Sequence, residues 1–156
     1  KISEVSPALG WSDEQRMNAV LRINEQMMCT NRQSQADLLH RLVEAVLTDD
    51  VAHDLNQGAR EVGREAFRAF LQRMDRCYGE QLRGIVVMVS ADGLRAGAEY
   101  VVHGEYKVTD DGLPDAQGQR YVLPGGAFFE IRDGKIARVT NYYNLGDWIA
   151  QVGGDA

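Results

Sequence analysis

His53 alternates with Val51 and Leu55, so in an extended chain these three side chains share one face. An imidazole among apolar groups loses its charged form to desolvation and is neutral near pH 7. Its free ring nitrogen can then take a proton as a general base. Asp54 falls on the opposite face of a regular strand. A bulge at Asn56-Gln57-Gly58 would turn it inward, to orient His53 or to act as the base itself. Farther along, Asn141 and Tyr143 are two residues apart and share a face. An amide beside a phenol can hold the oxygen of a carbonyl or enolate, as an oxyanion hole does. The plainer reading is a core histidine satisfied by a tyrosine, and an Asn-Tyr pair that satisfies itself.

Other chemistries find little support. The net charge is −6 with a pI near 5.0, the wrong sign for a protein that grips phosphate backbones, so no nucleic-acid partner is expected. Cys29 and Cys77 lie in no C-x-x-C or Cys/His cluster. That argues against a zinc site and a disulfide scaffold and for a reducing cytoplasm. No metal and no cofactor are expected. Gly125-Gly126 follows Pro124 and precedes a strand pattern, so no helix N-terminus is available there to receive a phosphate. The apolar run Ile85 to Val89 is too short to span a bilayer, and no secretory pattern opens the chain. Arg60, Arg64 and Arg68, interleaved with Glu61 and Glu65, read as a solvated, self-paired helix face.

The elements that must hold these residues follow from periodicity. At 156 residues the chain makes one domain, with residues 1–11 as an arm and 12–153 as the folded unit. Ser12 with Gln15, and Ser34 with Asp37, start two amphipathic helices, the second ending at Asp49-Asp50. Val51 to Asn56 reads as a short strand, and a third helix runs from about Arg64 to Cys77, with Gly79 as its stop. The period then changes to two, giving strands over 81–90, 95–108, 119–132 and 135–144, and a last short helix over 146–152. Ala91-Asp92-Gly93 and Asp133-Gly134 have the residues that tight hairpins need. Within 95–108, Tyr100, Val102 and Tyr106 share the inner face with small residues, while Val101 and His103 face out. Three helices on one face of a curved antiparallel sheet make an α+β domain.

The element order, the stretch Asp49 to Gly58, the helix start Gly63-Arg64-Glu65-Ala66-Phe67 and the ending Phe128 to Leu145 resemble the NTF2-like superfamily. The ending is similar to its SnoaL-like, ketosteroid-isomerase-related branch. The resemblance spans about residues 13 to 152 and implies a cone-shaped, cystatin-like fold with an apolar pocket, commonly a homodimer. It implies a proton-moving enzyme that isomerises or cyclises a small apolar carbonyl compound, or a hydrolase of epoxides or lactones, or a binding or assembly module. The catalytic positions of the relatives carry other residues here. The isomerase base position is Leu55, its oxyanion-hole acid falls near Ala127, and its helix tyrosine has no counterpart around Met27 to Cys29. The Asp-Arg-Asp set of the epoxide hydrolase branch matches Asn141, Tyr100 and Val102. His53, Asp54, Asn141 and Tyr143 remain the candidate catalytic groups. Leu55, Tyr100, Val102, Tyr106, Ala127 and Phe129 are the expected substrate-binding wall. A homodimer would meet on the outer face, through Val101, His103, Phe128 and Tyr142.

Overall fold

The computed structural model describes residues 40–56 and 58–153. The expected arm, the first helix and the start of the second lie outside the described residues. Residues 40–46 are helical (α1) and run directly into strand β1, Leu47–Asp54. A short strand β2, Arg60–Val62, folds back on β1. Helix α2, Arg64–Cys77, occupies the span its periodicity predicts and buries Phe67, Leu71 and Cys77. Then come β3 (Tyr78–Val89), β4 (Arg95–Tyr106), β5 (Gln119–Arg132), β6 (Lys135–Tyr143) and helix α3 (Leu145–Val152).

The strands form one sheet in the order β2-β1-β6-β5-β4-β3. The four later strands pair antiparallel through consecutive connections, as their turn residues predict. Asp133 and Gly134 both take positive φ, 51° and 70°, matching the twist a two-residue hairpin needs. β1 differs, because it lies parallel to β6. These strands are far apart in the chain, so no hairpin dictates their direction. The antiparallel expectation therefore holds for the four later strands and not for β1.

Two boundaries also move. β1 begins at Leu47 rather than Val51, since Leu47, Val51 and His53 are all buried and a bulge between Leu47 and Ala52 absorbs the polar residues. α2 gives way to β3 without a glycine stop: Tyr78 is already extended, at φ −130° and ψ 144°, and Gly79 is a strand residue. The arginine stripe is self-paired where Arg68 meets Glu65, but it is not one solvated helix face. Arg60 and Glu61 are in β2, while Arg64 and Arg68 sit largely covered and converge on Glu44. Arg64 also donates to the Leu47 carbonyl at 2.7 Å and meets Asp49 at 2.7 Å, clamping α2 to the α1–β1 junction.

The last helix is held by its first and last turns. The Asn144 side chain accepts from the Asp147 N–H at 3.3 Å, a cap worth ~1 kcal/mol. Gln151 exchanges two hydrogen bonds with the Val122 backbone, beyond the point where β6 stops pairing with β5. α3 thereby brings Trp148 onto the inner face, against the rings of Tyr78, Tyr106 and Tyr121. Among the described residues no helix is long and apolar enough to cross a membrane.

Candidate functional site

The inner face of the sheet, α2, the loop after β4 and α3 surround a cavity of about 550 Å³. Its wall is mostly apolar and aromatic, with a few convergent polar groups, the composition of a small-molecule site. Leu55, Tyr100, Val102, Ala127 and Phe129 line it as expected, together with Asn141 and Tyr143. Tyr106 does not. It is fully buried, stacks on Tyr78 with centroids 5.4 Å apart, and its hydroxyl accepts from the Asp110 N–H at 2.7 Å.

His53 and Asn141 are brought together, but only Asn141 borders the cavity. The His53 ring is 1% exposed and lies behind that wall, with the rings of Phe67 and Phe70 edge-on at 5.1 and 4.4 Å. Nδ1 faces Glu61 Oε2 at 3.9 Å, and among the described residues neither atom has a hydrogen-bond partner. A proton on Nδ1 suits that carboxylate, a tautomer assigned from the pairing. Nε2 is then the acceptor for Asn141 Nδ2 at 3.4 Å. His53 thus orients the amide, leaving Asn141 its second N–H and its carbonyl oxygen to offer the cavity.

Burial pushes the His53 pKa down to about 4. As pH falls below about 6.5 the unfolded chain protonates this histidine, while the folded protein does not until about 4. Stability is therefore full above pH 6.5 and falls across that window, by roughly 2–4 kcal/mol from this group. Urea unfolding at pH 7.5 and pH 4.5 should show the loss. His53→Gln should remove that share of the pH dependence, and an unchanged slope in the variant would contradict the assignment.

Asp54 is not at the cavity. β1 is regular at this point, so the carboxylate faces the other side of the sheet. There it accepts from Arg60 at 2.6 and 3.1 Å and from Thr140 Oγ1 at 3.0 Å. The Arg60 guanidinium holds its pKa below the ordinary carboxylate range. Asp54 keeps its regular pairing with Thr140 and is not turned inward.

Sequence reasoning passed over Glu80. Its neighbours at two-residue spacing, Tyr78 and Leu82, are buried, so Glu80 lies on the inner face of β3 and borders the cavity. Starting the strand at 81 hid an alternation that was present in the sequence. Tyr121 Oη donates to Glu80 Oε1 at 2.5 Å. Burial raises the Glu80 pKa, and the Tyr121 hydrogen bond opposes that rise. Burial, followed by the field of Glu80, pushes the Tyr100 phenol up to about 12. Burial raises Tyr143 also. Tyr100 and Tyr143 are therefore proton donors at neutral pH. No cluster of metal-ligating side chains occurs among the described residues.

The sequence profile of the SnoaL-like domain matches residues 33–139, more than half of the chain. This protein belongs to the SnoaL-like domain family. A candidate polyketide cyclase from Pseudomonas putida KT2440 is 50% identical to this SnoaL-like chain, with a TM-score of 0.80 over 92% of this chain and 99% of that one. Another, from Xanthomonas campestris, is 57% identical with a TM-score of 0.74, over 90% and 98% of the two chains. An LEH-like epoxide hydrolase from Mycobacterium tuberculosis is 20% identical, with a TM-score of 0.59 over 88% of each chain, a likeness of fold alone. No curated protein matches this sequence.

Proposed function

We propose that this protein isomerises or cyclises a small apolar carbonyl compound inside the cavity by moving a proton, with no cofactor. The observation that carries the reading is the pairing of an apolar cavity with uncharged donors on its wall, Asn141 and Tyr143 from β6 and Tyr100 from β4. When a proton leaves the carbon beside a carbonyl, negative charge collects on the carbonyl oxygen. Amide and phenol donors stabilise that charge most at the moment it forms. Return of the proton to a different carbon isomerises the compound. Attack of the carbanion on a second carbonyl closes a ring. The two relatives at 50% and 57% identity, described as candidate polyketide cyclases, favour a substrate with several carbonyl groups.

A thermal-shift screen of cyclic enones, β-diketones, lactones and epoxides, followed by turnover assays, tests the class. Stabilisation and turnover should fall on the ketones. Turnover of epoxides or lactones alone would make the protein a hydrolase, and tight binding with no turnover would make it a binding module.

The outer face supports a homodimer in the same reading. Phe128 and Tyr142 are 52% and 56% exposed and their rings meet edge-on at 5.7 Å, while Val101 and His103 are half-buried. Paired exposed aromatics on a sheet face are costly to leave in water. Light scattering at micromolar concentration should give a dimer for the native chain and a monomer for Phe128→Asp. A native monomer would remove this part of the proposal.

A further inference from the structure

Three neighbouring strands place Glu80, Gly104 and Tyr121 side by side, since Glu80 pairs with Gly104 and Gly104 with Tyr121. The middle position has no side chain, and it could not have one. A Cβ on Gly104 would stand 2.1 Å from Tyr121 Cζ, so the tyrosine ring lies directly over the glycine. Only by crossing that gap does the Tyr121 hydroxyl reach Glu80 Oε1. The bond fixes one oxygen. Glu80 Oε2 has no hydrogen-bond partner among the described residues, and the side chain borders the cavity.

Of the other carboxylates that border the cavity, Asp111 is exposed to solvent and Asp110 is already engaged. Asp110 accepts from Tyr78 Oη at 2.9 Å and from the Asp111 N–H at 3.1 Å, and it faces Arg73 at 3.7 Å. His53 lies behind the wall, and Asp54 faces away from the cavity. Tyr100 and Tyr143, whose pKa values Glu80 helps to raise, remain protonated donors.

We infer that Glu80 is the catalytic base of this cavity, taking the proton on Oε2 and returning it, while Tyr121, passing over Gly104, is its positioning residue. The assignment rests on the carbonyl reading above. The C–H bond beside the carbonyl breaks, its electron pair becomes the enolate, and the proton forms an O–H bond on Glu80. In isomerisation that O–H bond breaks again and the proton goes to another carbon of the same enolate. In ring closure the enolate carbon bonds to a second carbonyl carbon, and the proton from Glu80 goes to the alkoxide oxygen so formed. Nothing is oxidised or reduced, and the carboxylate is regenerated.

Incorporation of solvent deuterium into 2-tetralone, followed by NMR, reads this step directly. Glu80→Gln keeps the shape and should lose roughly 10²–10⁴-fold in exchange rate. Tyr121→Phe should keep exchange but move the midpoint of its pH–rate profile upward, because the carboxylate loses a donor that favours its charged form. The other ionisable groups that border the cavity with Glu80 are Tyr78, Tyr100, Tyr142, Tyr143, Asp110, Asp111 and Arg73, and none of them is altered in either variant. Exchange in Glu80→Gln as fast as in the native protein would overturn the assignment alone. Native exchange no faster than buffer would overturn the carbonyl reading and this assignment with it. Should Glu80→Gln fail to fold, the Tyr121→Phe profile decides, and an unmoved midpoint overturns the inference.

Discussion

Asn141→Ala is expected to lower kcat by about 10²–10³-fold while changing KM far less. The amide sits on β6 opposite Ala127, bordering the cavity, and its other side is tied to His53 Nε2 at 3.4 Å. A donor already oriented by a buried neighbour loses little by reorganising when charge develops on the substrate oxygen. Alanine removes that donor and leaves most of the apolar contacts that bind the ground state, which is why the loss should fall on kcat. His53→Gln should give a smaller defect of the same kind, since the imidazole acts through the amide and not on the substrate. Steady-state kinetics of both variants on one ketone substrate checks this. An equal loss in kcat/KM arising wholly from KM would place Asn141 among the ordinary binding contacts.

Trp148→Ala should be the most damaging change to the fold among single side chains of the last helix. The indole is 4% exposed and stands in a ring of three tyrosines, with centroids 6.1 Å from Tyr78, 5.0 Å from Tyr106 and 5.9 Å from Tyr121. Truncating a buried tryptophan costs about 3–5 kcal/mol. For a chain of this size that corresponds to a fall in Tm of roughly 10 °C. The variant should also loosen Tyr121, because the indole packs edge-on against the ring that reaches Glu80. Calorimetry measures the first effect. A loss below about 1 kcal/mol would show that the helix contributes little to the core.

The strand that reads most clearly in the sequence is β4, and the reason is physical. One of its faces meets the cavity and core while the other faces out, so Ala96, Ala98, Val102 and Tyr106 are buried between exposed Arg95, Glu99 and Glu105. Alternation of that kind records burial directly. α2 was equally legible because its apolar residues recur at helical spacing. β2 left no such mark: it is three residues long and largely exposed, and pairing with β1 alone defines it. The inner site was legible only in part. Asn141, Tyr143, Tyr100 and Leu55 reach the cavity through plain alternation. The displacement of His53 depends on how Phe67 and Phe70 of α2 close over it, a tertiary fact. The outward turn of Asp54 depends on β1 staying regular beside β6. Glu80 was hidden by a glycine read as a helix stop, and its partnership with Tyr121 depends on register across three strands.

Solvent-deuterium incorporation into 2-tetralone by the native protein is the most direct test of the central claim, that this cavity moves a proton beside a carbonyl. The rate should exceed that of buffer, saturate with ketone, and be suppressed by 2-naphthol, a planar phenol of the same size that mimics the enolate. A rate equal to that of buffer at saturating ketone would contradict the account.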